Sequence, residues 1–81
     1  MSFVYILRCG DGSLYTGIAK DVGARLRQHQ AGRASRYTRA RLPVTLVWWR
    51  ALTTWGDALR EEQRIKRLRR QEKEMLLAPR S

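Results

Sequence analysis

Two β-rich runs on either side of one dense turn constrain this chain more than any other feature. From Phe3 to Cys9 the sequence FVYILRC is β-branched, aromatic and aliphatic, with apolar residues at both parities. A strand with one solvated face would alternate, so this one suits a strand covered on both faces. Gly10-Asp11-Gly12-Ser13 is a turn signal, and LYTGIA from Leu14 to Ala19 resumes strand chemistry. The segments read as a β-hairpin.

Helical signals begin at Asp21, which can cap a helix running to about Ala31 with Gly32 as its stop. That helix is short and carries an internal Gly23, so packing must hold it. A basic loop, RASRYTRARLP, follows from Arg33 to Pro43, with Tyr37 among the arginines. VTLVWWRA, Val44 to Ala51, is a third strand, and Pro43 precedes it where a missing donor costs little. Trp48 and Trp49 are expected on its opposite faces. Thr54-Trp55-Gly56-Asp57 approximates a capping box and opens a second helix through about Leu68. A last helix spans about Arg70 to Leu77 and ends before Pro79. The order is β-β-α-β-α-α, without an internal repeat or a long linker.

An 81-residue chain makes one domain, residues 1–81 with its core at about 3–77, and buries only a modest core. Cys9 is the only cysteine, which gives no disulfide and no zinc companions and suggests a reducing compartment. The apolar run Phe3–Leu7 is too short for a secretion signal and is followed at once by Arg8, and no stretch is long enough to span a bilayer. A cytoplasmic location is expected, with no membrane partner. Seventeen Lys and Arg against seven Asp and Glu leave a formal charge of +10, most of it beyond position 24. Such an excess attracts polyanions, nucleic acid above all, but names no chemistry.

Carboxylates are few enough to search one by one. Asp11 sits in a turn, Asp21 and Asp57 have capping roles, and Glu72 and Glu74 belong to the basic tail helix. Glu61 and Glu62 remain. The apolar stripe expected on the second helix is Trp55, Ala58, Leu59 and Ile65, and Glu62 falls inside it while Glu61 points about 100° away. A carboxylate on a packed face is costly unless it is paired or holds a cation, and an ion pair with a nearby arginine is the plainer alternative. On the first helix, Val22 and Leu26 mark the inward face, and Arg25 and His29 lie one turn apart along it. Arginine is built for a forked grip on phosphate, and histidine carries protons near neutral pH, although a lone helical histidine is commonly structural. Tyr5 and Tyr15 lie one on each hairpin strand, where tyrosines are ordinarily core residues. Gly17, inside the second strand, needs a reason, such as another group approaching the backbone closely.

These residues resemble a known family. Val4-Tyr5-Ile6, then Tyr15-Thr16-Gly17, look like the paired tripeptides that name the GIY-YIG nucleases. Arg25 followed by His29 resembles the family's helix pattern, and Ala58-Leu59, Glu62 and Ile65-Lys66 look like its metal-binding helix. The match runs from about Phe3 to Leu77 and is nearest the small, stand-alone bacterial members. The resemblance implies an α+β fold, a three-stranded antiparallel sheet flanked by helices, and hydrolysis of nucleic-acid phosphodiester bonds by a DNA endonuclease or nickase of low sequence specificity. It implies that Glu62 holds one divalent cation, Mg²⁺ or Mn²⁺, with no small-molecule cofactor. Arg25 would bind the scissile phosphate, and Gly17 would give that phosphate room. One tyrosine, with Tyr5 favoured, would take a proton from the attacking water, while Tyr15 or His29 would orient the water or relay the proton. A free phenol titrates near 10, so a base at pH 7 needs its pKa lowered by about three units, roughly 4 kcal/mol, and Arg25 and a cation act in that direction. The chain departs from some branches in having Ile18 where they place a lysine, with Lys20 as a possible substitute, and in lacking asparagine altogether.

The expected binding surface is Arg33, Arg36, Tyr37, Arg39 and Arg41 in the loop, with Arg60, Arg64 and Arg67 as a stripe on the second helix. These would follow a phosphate backbone without reading sequence. Tyr37 is placed either against a base or sugar or in the core. Two other functions fit the composition: a non-catalytic nucleic-acid-binding module of the same fold, and a basic adaptor docking on a protein partner.

Overall fold

The hairpin strands β1 (Ser2–Arg8) and β2 (Leu14–Ala19) pair antiparallel, and β3 (Thr45–Leu52) adds to the other side of β1, giving the order β2-β1-β3. This is a computed structural model, and it describes residues 1–78. The first strand is therefore central, which explains its apolar residues at both parities. Val4 and Ile6 are fully buried toward one face, and Tyr5 and Leu7 toward the other.

Helix α1 (Val22–Gln30) begins where Asp21 accepts the amide hydrogen of Ala24, and Gly32 follows it at φ 74°, a conformation that favours glycine. Its Val22 and Leu26 pack with Tyr5, Leu7, Cys9, Ala19 and Val44 on one face of the sheet. On the opposite face, Ile65 of helix α3 (Trp55–Lys66) joins Val4 and Ile6, with Leu76 and Leu77 of helix α4 (Arg70–Leu77) closing over them. The fold is thus α+β, a sheet with helices on both faces. Trp48 packs into the second cluster while Trp49, 55% exposed, lies edge-on to Phe3, so the two indoles do face opposite ways. Pro79, the expected stop of the last helix, lies outside the described residues.

Two expectations need correction. The segment 33–43 is not wholly a loop: Ser35 caps a single helical turn, α2 (Arg36–Arg39), whose Thr38 is completely buried. The apolar stripe of α3 is also narrower than its sequence suggests. Ala58, Glu62 and Ile65 are buried, whereas Trp55 and Leu59 are each 41% exposed. A three-stranded sheet offers little width, so only the positions directly over it are covered, and residues about 100° to either side reach solvent.

Candidate active site

The register of the hairpin sets the site. Tyr5 stands directly opposite Gly17, and Leu7 opposite Tyr15. A Cβ on Gly17 would lie 2.5 Å from Tyr5 Oη and 2.7 Å from its Cζ, so the glycine exists because the phenol lies across it. The space that Gly17 leaves is taken by the Tyr5 phenol.

From there Tyr5 Oη reaches His29 Nε2 at 2.8 Å, and His29 Nδ1 reaches Thr38 Oγ1 at 2.8 Å. Thr38 Oγ1 also meets Ser35 Oγ at 3.0 Å and Ser35 O at 3.3 Å. When Thr38 gives its hydrogen to Ser35, Nδ1 carries the ring hydrogen and Nε2 accepts from the phenol. His29 is fully buried, and burial, reinforced by the positive charge of Arg25, holds its pKa down at about 4. It is neutral at pH 7. The Tyr15 ring lies edge-on to His29 with centroids 5.1 Å apart. Thr38 and Ser35 are members that sequence reading missed, and the only local signal was the serine cap three residues before the threonine.

Tyr5 carries a correction. Arg25 does lower the phenol's pKa, as expected, but burial outweighs it, Tyr15 and Glu62 add to the rise, and the result is about 12. The protein alone does not make Tyr5 a phenolate. The same balance shows that the Glu62 carboxylate lies near enough for its charge to act on Tyr5, although it projects from α3. Arg25 also donates through Nη1 to Gln28 Oε1 at 2.9 Å. The charges of Arg25 and Glu62 and the nearby Tyr15 thus act on Tyr5, Arg25 also acts on His29, and Gly17 leaves the space in which the phenol lies.

Glu62 is 9% exposed and receives no hydrogen bond from the described residues; only Lys66 Nζ approaches, at 3.5 Å from Oε2. The carboxylate therefore has one ion pair, to Lys66, no hydrogen-bond donor among the described residues, and oxygens that are not fully buried, which leaves lone pairs open to a hard cation. The arginine pairing weighed for it belongs to its neighbour, since Glu61 takes both Arg50 and Arg64. Among the described residues no three His, Cys, Asp or Glu side chains gather. The donor set is one carboxylate plus open positions, a set that magnesium, which keeps several waters, fits.

The basic surface divides in two. Arg41 donates to Asp11 at 3.0 Å and to Tyr37 O at 3.1 Å, and its guanidinium lies 3.9 Å from the Tyr37 ring centroid. Arg60 pairs with Asp57, and Arg64 with Glu61. Arg33, Arg36 and Arg39 instead line a cavity of about 260 Å³, and neither they nor Arg67 have an acidic partner among the described residues. Tyr37 stacks on Tyr15 with centroids 5.9 Å apart and remains 37% exposed. It is not a core residue.

Comparisons with known proteins bear on the family and the fold. A family model described as the GIY-YIG catalytic domain matches residues 1–75. The chain is 52% identical over 71 residues to the UPF0213 protein SERP0126 of Staphylococcus epidermidis, covering 88% of this chain and 87% of that one. It is 49% identical over 78 residues to a UPF0213 protein of Staphylococcus aureus strain Mu3, covering 96% and 95%. The solution NMR structure of the UPF0213 protein BH0048 from Bacillus halodurans superposes with a TM-score of 0.61 at 44% identity, covering 95% of this chain and 83% of that one. No described helix is long and apolar enough to cross a membrane.

Proposed function

The chain belongs to the GIY-YIG catalytic domain family, and from that premise we propose that it hydrolyses phosphodiester bonds in DNA, as a magnesium-dependent endonuclease or nickase of low sequence specificity. The observation that carries this reading is the Tyr5 phenol: it is hydrogen-bonded to a neutral imidazole, lies beside Arg25 and feels the charge of the Glu62 carboxylate.

Glu62 would hold the cation, and manganese would serve as magnesium does; when bound, the ion supplies positive charge to the phosphate and leaving oxygens. Arg25 grips a non-bridging oxygen of the scissile phosphate and stabilises the charge that builds there. Forming free Tyr5 phenolate at pH 7 means working five units below a pKa of about 12, roughly 7 kcal/mol. Moving the phenol's hydrogen to His29 as a separate step spans the difference between about 12 and about 4, eight units and roughly 11 kcal/mol, which costs more still. A concerted relay forms neither phenolate nor that charge-separated pair, because the negative charge passes to the phosphate as the water attacks. Tyr5 Oη takes the proton of the attacking water while passing its own to His29 Nε2, and Thr38 keeps the ring in the accepting tautomer. The water oxygen bonds to phosphorus, the opposite ester bond breaks, and its oxygen takes a proton from solvent.

The test is incubation of the pure protein with single-stranded, duplex and branched DNA and with RNA, in magnesium or in chelator. Cleavage should require magnesium and should fall at least about 100-fold in both Glu62→Gln and Arg25→Ala. Undiminished cutting by either variant would undo the assignment. Salt-sensitive binding without cutting would instead favour the non-catalytic binding module.

A further inference from the structure

One tryptophan is out of place for a core and well placed for a ligand. Trp55 opens α3, yet it is 41% exposed, because the buried face of that helix begins only at Ala58. Its ring forms one wall of a cleft of about 440 Å³, whose other walls include Lys20, Asp21, Ala24, Arg25 and Gln28. The end of β2 and the N-terminal half of α1 therefore face the start of α3 across this cleft. Arg25 belongs to both the cleft and the candidate active site, so the two are continuous.

The chemistry of the walls selects the occupant. An indole offers an apolar face, Lys20 Nζ lies 6.0 Å from that ring's centroid, and Arg25 stands beside it. Gln28 has its Oε1 held by Arg25 Nη1, which leaves its amide hydrogens for an acceptor. An aliphatic ligand would leave these cations unmatched. A nucleotide unit, which joins a flat aromatic base to an anionic phosphate, matches the indole and both cations, while the Asp21 carboxylate on the same wall is engaged in capping α1.

We infer that Trp55 is a stacking platform for the base of a nucleotide flanking the scissile phosphate, with Lys20 and Gln28 at its edges and Arg25 on the phosphate. The inference rests on the nuclease reading for the position of the phosphate, and goes beyond it in naming a positioning residue and a base subsite. Lys20 thereby has a task of its own, on the sugar-phosphate side of the stacked base.

A substrate–protein cycle tests it without turnover. Glu62→Gln protein, with and without Trp55→Ala or Trp55→Phe, is titrated in chelator with a labelled oligonucleotide in which an abasic site is scanned through every position. Trp55→Ala should weaken binding of the intact oligonucleotide about tenfold, and Trp55→Phe less, because a smaller ring still stacks. At one position the abasic site should reproduce that loss in protein retaining Trp55 and add nothing in Trp55→Ala. Independent losses at every position, unchanged binding by Trp55→Ala, or no binding at all would overturn the subsite. Thermal melts of the exposed-site variants check that each is folded. Because affinity is read without cutting, an uncleaved substrate with an intact cycle would sink hydrolysis alone, and cleavage with a flat cycle would sink only the stacking role.

Discussion

At pH 7 the Tyr5 phenol and the His29 imidazole are both neutral, and the pair differs from two separate titrating groups. Burial acts on both in the direction that opposes charge, raising the phenol to about 12 and lowering the imidazole to about 4. The proposed relay therefore has a distinctive pH signature. Activity requires His29 unprotonated, a condition met above about pH 4, and requires no phenolate in the free enzyme. The profile of kcat/KM should be nearly flat between about pH 5 and 9, falling only as pH drops toward 4. A phenolate mechanism would instead rise about tenfold per unit across the whole range, because its pKa lies near 12. A ¹⁵N spectrum of His29 provides a check independent of turnover, with Nδ1 protonated and Nε2 bare at neutral pH. Loss of that tautomer in Thr38→Val would show that the buried hydroxyl holds it.

Among the elements, the β1–β2 hairpin and α1 together do the positioning. Tyr5 crosses its partner strand only because position 17 has no side chain, and it finds His29 only because α1 ends beneath α2. Gly17→Ala puts a methyl group 2.5 Å from Tyr5 Oη, so the phenol must move and its bond to His29 must break. The expected cost is about 1–3 kcal/mol of stability in denaturant melts, with cleavage lost more completely than stability. A variant of normal activity would show that the phenol's placement is not needed. The strands and caps were legible in sequence because strand chemistry, turn residues and Asp21, Thr54 and Gly32 act over a few residues. The turn at Arg36–Arg39 was hidden by its basic composition, and its cap, Ser35, reads equally well as loop. In α3 the periodicity correctly placed Glu62 inward but also placed Trp55 and Leu59 inward, because periodicity knows the helix and not the width of its support.

For the molecule as a whole, a formal charge of +10 says less than the way the charge is divided. Arg41, Arg60 and Arg64 are already engaged with Asp11, Asp57 and Glu61, whereas Arg33, Arg36 and Arg39 line a cavity and have no acidic partner among the described residues. Only the second group has its full charge to offer a phosphate backbone. Replacing Arg36 and Arg39 by alanine should reduce the slope of log K against log salt on duplex DNA by roughly 2, since each phosphate contact contributes about 0.9. Arg41→Ala and Arg64→Ala should change it little, and titrations between about 50 and 200 mM salt decide the point. Equal losses from both groups would contradict the division. What the sequence by itself determined was the three strands and the three longer helices, the covering of β1 on both faces, the inward carboxylate and the family's motif residues, because each follows from spacing and local chemistry. The tertiary structure decided the direction of the Tyr5 pKa, the reason for Gly17, the role of Thr38, which arginines are free and where Trp55 points. Those depend on groups 9, 24 or 30 residues apart meeting in space, as Thr38 meets His29, His29 meets Tyr5, and Arg41 meets Asp11. Desolvation and pairing belong to the assembled surroundings, and no residue carries them alone.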